Sequence, residues 1–207
     1  MSKNYITIID TGLGNIGSVA RMIHRIGGNP HICSNPKDIV PQRKIILPGV
    51  GHYDHGISSL IQHGFDQTFW KAIAEQGNYI MGICLGMQLL CNSSEEGSSN
   101  GLGLVDADVK KFRFSPDQNL KAPHMGWNVV KTIAANSIIP KSEQEERFYF
   151  VHNFYVVPNQ EDITIGVTNY GGDFCCAFKH RNIIGVQFHP EKSHQFGMSL
   201  FKRFLEL

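Results

Sequence analysis

Cys84 stands between two glycines, in the pattern glycine–x–cysteine–x–glycine at residues 82–86. An apolar run at residues 79–81 precedes this pattern, and residues 87–90 can pack as the first turns of a helix. A nucleophile held between glycines where a strand meets a helix is the sequence form of a nucleophile elbow. The glycines permit a sharp turn, and the positive end of the following helix favours the thiolate. The pattern predicts a nucleophilic cysteine, and a small buried cysteine is the alternative that these five residues leave open.

A histidine and a glutamate, His189 and Glu191, follow the last predicted strand of the chain. Pro190 between them fixes its own φ and favours an extended backbone at His189. Side chains two residues apart on extended chain point the same way, so Glu191 can hold one nitrogen of the His189 ring. The other nitrogen is left for a nucleophile, which makes the pair the base and the orienting carboxylate of a triad. A structural histidine is the alternative.

The third predicted strand ends in a glycine-rich segment, residues 48–51. Gly49 and Gly51 leave backbone N–H groups accessible and peptide planes free to reorient. The segment can therefore build an oxyanion hole, or move to form one. Taken alone, the segment is more typical of an ordinary turn.

The first predicted strand leads into residues 12–17, which match the pattern glycine–x–glycine–x–x–glycine. A dinucleotide site also requires an acidic residue at the end of the second strand. That strand closes with Cys-Ser-Asn at residues 33–35, so the pattern favours a tight turn with close helix packing over nucleotide binding. A third interpretation is that Asn15 presents its amide to a partner or a substrate.

Apolar periodicity predicts a chain that changes character after Cys91. Before it, strands at residues 5–10, 30–33, 44–47 and 79–83 alternate with helices at residues 19–26 and 57–74, the latter broken near Gly64. After a polar loop at residues 92–100, the pattern predicts strands at 104–109, 128–130, 148–157, 163–168, 174–179 and 183–188, and a last helix at 195–205. This order is typical of an α/β fold with an open, mixed, mainly parallel sheet flanked by helices. With no linker and no internal repeat, residues 1–207 are interpreted as one domain.

Composition and charge describe an ordinary globular protein without a general affinity for nucleic acid or membranes. The 207 residues are 42% hydrophobic and 18% charged, with a formal net charge of +1. The five cysteines form no CxxC pair and no disulfide framework, and no His and Cys spacing matches a metal-ligand set. The apolar part of residues 1–10 is too short for a signal peptide, and no run is long enough to span a membrane. We expect a cytoplasmic protein with no metal and no cofactor.

Because open α/β sheets bind ligands beyond the carboxyl ends of their strands, Cys84, His189 and Glu191 are expected to lie together. With these residues the chain resembles the class I (triad-type) glutamine amidotransferases, and within that family the glutaminase subunits of imidazole glycerol phosphate synthases. The motifs that carry the resemblance run in family order at residues 10–15, 47–51, 82–88, 123–128, 148–152 and 185–193. The resemblance implies a flavodoxin-like fold and the hydrolysis of L-glutamine to glutamate and ammonia.

The resemblance also implies roles for individual residues. Cys84 would be the nucleophile, His189 the general acid and base, and Glu191 the group that orients the imidazole. Backbone N–H groups of Leu85 and near Val50 would hold the oxyanion. Glutamine would be bound by Gly49, Gly51, Gln88, Val151, His152, Asn153 and Phe154. Asn153 and Phe154 stand where the family pattern has serine or threonine and then tyrosine. Backbone contacts tolerate this change, so the resemblance supports backbone roles here more than side-chain roles.

Free ammonia is mostly ammonium at neutral pH, and ammonium has no lone pair with which to attack. The family passes ammonia through a dry channel to a (β/α)8-barrel synthase subunit, which forms imidazole glycerol phosphate and an aminoimidazole carboxamide ribotide in histidine biosynthesis. Interface positions of the family are matched by Asn15, Met125, Trp127, Tyr149 and Lys192. The alternatives are core positions for Met125 and Trp127 and a solvated charge for Lys192, but an exposed tryptophan favours docking.

Two other functions are compatible with these motifs. The same glutaminase could feed a paralogous barrel partner in amidino-sugar synthesis for surface polysaccharides, since residues 11, 16–17 and 91 differ from the commonest histidine-pathway pattern. A non-catalytic regulatory or binding subunit on the same scaffold is the other, and the intact Cys84, His189 and Glu191 argue against it. The Gly-Gly-Glu-Ser loop of the vitamin B6 glutaminases is not found at residues 48–51.

Overall fold

The structure, a computed structural model, describes residues 4–39, 44–141 and 145–207. Residues 1–3, part of the segment considered for a signal peptide, lie outside the described residues. Strands and helices alternate in the first part of the chain, as the periodicity predicted. They are β1 (Tyr5–Ile9), α1 (Ile16–Arg25), β2 (Asn29–Cys33), β3 (Lys44–Gly49), α2 (Tyr53–Gln62), α3 (Gln67–Glu75), β4 (Tyr79–Cys84) and α4 (Leu85–Leu89).

The break predicted near Gly64 separates α2 from α3. Gly64 has φ 80, a conformation that glycine adopts at little cost and that ends a helix. Asp66 then caps α3, since its carboxylate accepts a hydrogen bond of 2.9 Å from the backbone N–H of Phe69. The predicted interruption is therefore confirmed.

The second part of the chain consists of strands and one long helix. These are β5 (Ser93–Ser94), β6 (Ala107–Lys111), β7 (His124–Thr132), β8 (Glu146–His152), β9 (Phe154–Pro158), β10 (Thr164–Asn169), β11 (Asp173–His180), β12 (Ile183–Val186) and α5 (His194–Glu206). Short 3-10 turns lie at Pro36–Asp38, Pro116–Gln118, Glu161–Ile163 and Pro190–Lys192.

The prediction of one strand over residues 148–157 is wrong, because this stretch forms β8 and β9 with Asn153 between them. The two strands pair with different partners: β8 pairs with β7, whereas β9 pairs with β6 and β11. Both halves are apolar and β-prone, and such a pattern carries no information on which neighbour each half chooses.

The strands follow the order β2-β1-β3-β4-β12-β11-β10-β7-β8 within the described residues, and β6 joins them through β9. From β2 to β12 the neighbours are parallel, and from β12 to β8 they are antiparallel. The predicted class, an open mixed α/β sheet flanked by helices, is confirmed.

The sheet is buried on both faces, as the alternation along β3 shows. Ile46 packs on the side that also holds Val19 of α1 and Phe201 of α5. Ile45 packs on the opposite side, with Trp70 of α3. A strand covered on both faces needs a continuous apolar run, and residues 45–47 supply it. Among the described residues no helix is both long and apolar enough to cross a membrane.

Helix α4 lies unusually close to β3 and β4, and glycines make this approach feasible. A Cβ atom at Gly86 would lie 1.9 Å from the carbonyl oxygen of Leu47. A Cβ atom at Gly82 would lie 2.7 Å from the backbone carbonyl of Gly86. Real Cβ atoms do not approach backbone so closely, so both glycines of the motif are steric requirements of the fold.

Replacing Gly86 by alanine is expected to lower the free energy of unfolding by about 3 kcal/mol or more, because the methyl group would overlap the Leu47 carbonyl. Thermal denaturation followed by circular dichroism measures the loss. Gly172→Ala is the matched control, since a Cβ at Gly172 meets no atom within 4 Å. Its effect should stay within about 0.5 kcal/mol. Equal stability of the two variants would contradict the close approach of α4.

Candidate active site

The carboxyl ends of β3, β4 and β12 meet around Cys84. β4 lies between its two parallel neighbours, with Cys84 opposite Gly49 of β3 and Ile83 opposite Val186 of β12. His189 follows three residues after Val186, with an extended backbone at φ −103 and ψ 93. Strand register thus brings the glycine segment to one side of Cys84 and the histidine to the other.

Cys84 has the backbone geometry of a nucleophile elbow. Its φ of 54 and ψ of −110 are rare for a residue other than glycine. Such a conformation costs about 1–3 kcal/mol and persists only where the surrounding structure holds it. The following helix, α4, contains five residues, so few aligned peptides contribute to the dipole that was expected to favour the thiolate. The side chain is 7% exposed.

His189 and Glu191 form the predicted pair. The Nδ1 atom of His189 lies 2.8 Å from Oε1 of Glu191, and the two side chains are 1% and 2% exposed. With Nδ1 bound to the carboxylate, Nε2 points elsewhere and makes no hydrogen bond to another described residue. Pro190 begins the 3-10 turn that brings Glu191 back toward the ring.

Backbone hydrogen bonds fix the position of His189. Its N–H donates to the carbonyl of Tyr149 on β8 over 2.9 Å. The hydroxyl of Ser193 donates to the carbonyl of His189 over 2.6 Å and accepts from the N–H of Tyr149 over 3.0 Å. Both backbone polar groups of His189 are therefore satisfied, and the residue is held against β8.

The surroundings of His189 stabilise its charged form. Burial opposes the charge, but contacts with Cys84 and Glu191 outweigh burial and raise the pKa of His189 to about 10. The contribution from Cys84 means that the imidazole and the sulfur are neighbours. At neutral pH this site holds an imidazolium beside a sulfur, which is the pairing used by cysteine nucleophiles.

Two buried glutamines connect to this sulfur, and sequence reasoning identified only one of them. The Nε2 atom of Gln88 donates to the carbonyl of Phe154 over 3.1 Å and to Oε1 of Gln187 over 3.0 Å. The Nε2 atom of Gln187 lies 3.8 Å from Sγ of Cys84 and donates to it. Gln187 was missed although alternation along extended chain puts residues 187 and 189 on one side, a signal that could have found it.

The segment predicted to form the oxyanion hole lies beside Cys84. A Cβ atom at Gly49 would lie 2.8 Å from the backbone nitrogen of Gly86, so the end of β3 touches the start of α4. Val50 is 42% exposed, and Gly51 has φ 106, which requires glycine. Leu85 is the first residue of α4. The roles of these N–H groups remain predictions.

The predicted substrate segment contains a histidine whose ring is engaged inside the protein. His152 Nδ1 donates to the Phe154 carbonyl over 2.7 Å, since a carbonyl can only accept. His152 Nε2 then accepts from Nδ1 of His124 over 3.0 Å, and His124 Nε2 accepts from the Asn128 amide over 3.1 Å. Any contact of His152 with glutamine would therefore involve its backbone. Val151 is half-buried on β8, and Asn153 is exposed.

Four of the predicted interface residues lie together on the β7–β8 edge and the turn beside it. Met125 is 61% exposed and Trp127 47%, so neither is a core residue. The Trp127 and Tyr149 rings lie 6.4 Å apart, and Nζ of Lys192 lies 5.7 Å from the centre of the Tyr149 ring. His194, not identified from the sequence, stacks on Trp127 at 5.5 Å.

The remaining interface residue, Asn15, follows the glycine turn after β1. Gly12 has φ 77 and Gly14 has φ 118, and a Cβ at Gly14 would lie 3.3 Å from Pro48. This geometry agrees with a tight, closely packed turn. Asn15 is exposed at the start of α1, which packs against the turn Pro190–Lys192.

Comparisons with known proteins agree with this geometry. The family model described as "Glutamine amidotransferase class-I" matches residues 7–207. The chain is 44% identical over 201 residues to a protein of Methanococcus maripaludis named "Imidazole glycerol phosphate synthase subunit HisH 2", covering 97% of this chain and 98% of that protein. It is 43% identical over 202 residues to a Pseudomonas aeruginosa protein of the same name, covering 98% and 99%.

A solved structure shares the fold. The structure titled "Structure of PurLQS from Thermotoga maritima" superposes with a TM-score of 0.75 over 99% of each chain, at 17% sequence identity. At this identity the likeness concerns the fold alone.

The buried pair His124 and His152 is expected to make the protein less stable at mildly acidic pH. Burial lowers the pKa of His124 to about 4; burial, with the nearby His124 and His189, lowers that of His152 to about 3. Both are neutral in the folded state, whereas the unfolded chain binds protons below pH about 6.5. The stabilisation is complete above that pH and is lost as pH falls toward 4.

The loss at pH 5 should be at most about 2 kcal/mol per histidine, measured by urea denaturation. His189 has a raised pKa and is protonated in both states below pH about 6.5, so it adds no slope there. The control is the double variant His124→Phe/His152→Phe, whose stability should change less between pH 7 and pH 5. An equally steep fall in that variant would assign the acid sensitivity to other groups.

Proposed function

The chain belongs to the class-I glutamine amidotransferase family, and we propose that it is the glutaminase subunit of an imidazole glycerol phosphate synthase. The observation that carries this proposal is the elbow at Cys84 beside an imidazole held by Glu191 at 2.8 Å. The relatives with that name are matched over nearly their whole length, which supports the transfer of the complete activity. Residues 1–207 would act as a single glutamine amidotransferase domain in the cytoplasm.

In the first half-reaction the Cys84 thiolate attacks the side-chain carboxamide carbon of glutamine. A carbon–sulfur bond forms, and the carbonyl electrons move to oxygen. When the tetrahedral intermediate collapses, the carbon–nitrogen bond breaks and the His189 imidazolium gives its proton to the departing nitrogen, which leaves as ammonia. The raised pKa of His189 supports this role because the proton is in place before the attack.

In the second half-reaction water hydrolyses the γ-glutamyl thioester. Neutral His189 takes a proton from water as the oxygen attacks the thioester carbon. The carbon–sulfur bond then breaks and returns the thiolate, paired again with the imidazolium, while glutamate leaves and its carboxyl proton passes to solvent. Glu191 keeps the imidazole oriented through both steps.

The backbone around Cys84 would stabilise the oxyanion and bind the substrate. The N–H of Leu85 follows the nucleophile, and the N–H near Val50 approaches from β3, whose end lies against α4. Gly49 and Gly51 would leave backbone groups open to glutamine on this side. Gln88 and the backbone of residues 151–154 would bind it on the other.

The product passed on is ammonia, and its acceptor would be a (β/α)8-barrel synthase subunit. A dry path between subunits keeps ammonia unprotonated, because amines in water at neutral pH are mostly charged. Docking would use the exposed Met125 and Trp127 together with Tyr149, Lys192 and Asn15. Aromatic residues and methionine are enriched in such interfaces.

A second candidate function is the same chemistry serving a paralogous barrel partner in amidino-sugar synthesis. It is favoured by residues 11, 16–17 and 91, which differ from the commonest histidine-pathway pattern. Complementation of a histidine auxotroph by this chain, produced together with a (β/α)8-barrel subunit of the histidine pathway, separates the two functions.

Cys84→Ala is expected to abolish glutamine-dependent synthesis by the assembled enzyme, by a factor of at least about 10⁴, because no nucleophile remains. Synthesis from added ammonium salt should continue, since the acceptor site is on the partner. Cys33→Ala, which removes a buried thiol from the end of β2, is the control and should retain both activities. Loss of both activities in Cys84→Ala would mean that Cys84 is structural.

The isolated chain is expected to release glutamate at least about 100-fold more slowly than the liganded complex, the effect of one missing oxyanion donor. The reason is the glycine segment: with Val50 exposed and Gly51 at positive φ, a bound partner is needed to complete the oxyanion hole. Glutamate release is measured for the chain alone and with the barrel subunit and its ligand. Equal turnover would overturn this expectation.

A further inference from the structure

A row of buried hydrogen bonds runs from the backbone of β9 to the sulfur of Cys84. It starts at the carbonyl of Phe154, passes through Gln88 at 3.1 Å and Gln187 at 3.0 Å, and ends at Cys84 Sγ at 3.8 Å. Gln88 is 4% exposed and Gln187 is fully buried. Gln187 has no role in the reaction described above.

The direction of this row is fixed by the carbonyl at its start. A carbonyl oxygen can only accept, so the atom of Gln88 that faces Phe154 is the amide nitrogen. The second hydrogen of that nitrogen points at Gln187, which must present its oxygen. The remaining amide group of Gln187 is therefore its NH₂, and it donates to the sulfur. Exchanging the oxygen and the nitrogen of either side-chain amide would lose at least one of the three hydrogen bonds.

A donor at this place matters because the sulfur is buried. Burial raises the pKa of the thiols of Cys91 and Cys176 well above the ordinary value. Cys84 is buried as well: the His189 imidazolium is the charged group beside its sulfur, and the dipole of a five-residue helix offers little help. An amide N–H that donates to sulfur stabilises the thiolate more than the thiol, since hydrogen bonds to charged acceptors are the stronger ones.

We propose that Gln187 is a positioning residue for the glutaminase: its amide N–H holds the Cys84 thiolate in place, and its oxygen locks the Gln88 side chain. Both hydrogens of the Gln88 amide are then in use, so Gln88 presents its oxygen to a donor group of the substrate. Glutamine offers such donors in its carboxamide and its ammonium group. This proposal rests on the proposed glutaminase function.

The test is the pH dependence of Cys84 alkylation by iodoacetamide in the full-length chain, followed by peptide mass spectrometry. Gln187→Met keeps the length of the side chain and removes the donor, and Gln187→Glu keeps its shape and replaces the donor by an acceptor. The midpoint of alkylation should rise by about one to two pH units in Gln187→Met, and at least as much in Gln187→Glu. Gln118→Met, at a surface amide that bonds the Gly171 carbonyl, should leave it unchanged.

Steady-state kinetics of the assembled enzyme supply the second readout. In Gln187→Met, kcat with glutamine at pH 7 should fall about 10- to 100-fold, and the deficit should shrink as pH rises and the thiolate forms without its donor. KM for glutamine should also rise, because Gln88 is no longer locked. A loss of packing alone would lower activity equally at every pH. Ammonia-dependent synthesis and circular dichroism report whether each variant is folded.

The possible results separate this proposal from the proposed function. An unshifted alkylation profile in a folded Gln187→Met variant, with glutaminase activity in the unaltered chain, overturns the role of Gln187 alone. Absence of glutaminase activity in the unaltered complex overturns the proposed function, whatever the alkylation profile shows. If Gln187→Met does not fold, Gln187→Glu decides, since its side chain occupies the same volume.

Discussion

The turn at Cys84 is the constraint on which the rest of the site depends. A residue with φ 54 at the end of a central strand can persist only if the chain on both sides of it is held. Here the helix after the turn lies against two strands, at places where Gly82 and Gly86 have no side chain. The same contact brings the end of β3 to the start of α4, so one steric arrangement positions both the sulfur and the glycine segment.

The histidine lies on the other side of Cys84 from the glycine segment, and it is positioned by different means. His189 follows the end of β12, but its backbone is hydrogen-bonded to Tyr149 of β8 and to Ser193. β8 is the last strand in the sheet order, yet its Tyr149 is hydrogen-bonded to His189 in the segment that follows β12. The nucleophile is thus held by strand packing and the base by hydrogen bonds.

Sequence reasoning succeeded where the chemistry is local and failed where it depends on pairing. The elbow at Cys84 and the pair His189–Glu191 are encoded within a few residues by glycine and proline, whose backbone preferences are strong. The hydrogen bonds that join Gln187 to Cys84 and His124 to His152 could not be found in this way, although alternation could have drawn attention to Gln187 itself. The bonded residues are distant from each other in the sequence. The pairing of β7 with β8 brings the two histidines together, and the pairing of β12 with β4 brings Gln187 to Cys84. The division of residues 148–157 into two strands was missed for the same reason.

Side chains alternate along the edge formed by β7 and β8, so one face of this edge carries the proposed docking residues and the other faces the interior. Met125 and Trp127 point outward, whereas His124, their neighbour on the same strand, points inward and bonds His152. His152 bonds the Phe154 carbonyl, which also accepts from Gln88. A partner docked on the outer face would therefore act on a strand whose inner face is bonded to the proposed glutamine site. Because these buried groups are neutral and bonded to one another, displacing one leaves another unsatisfied, so the row has few arrangements available.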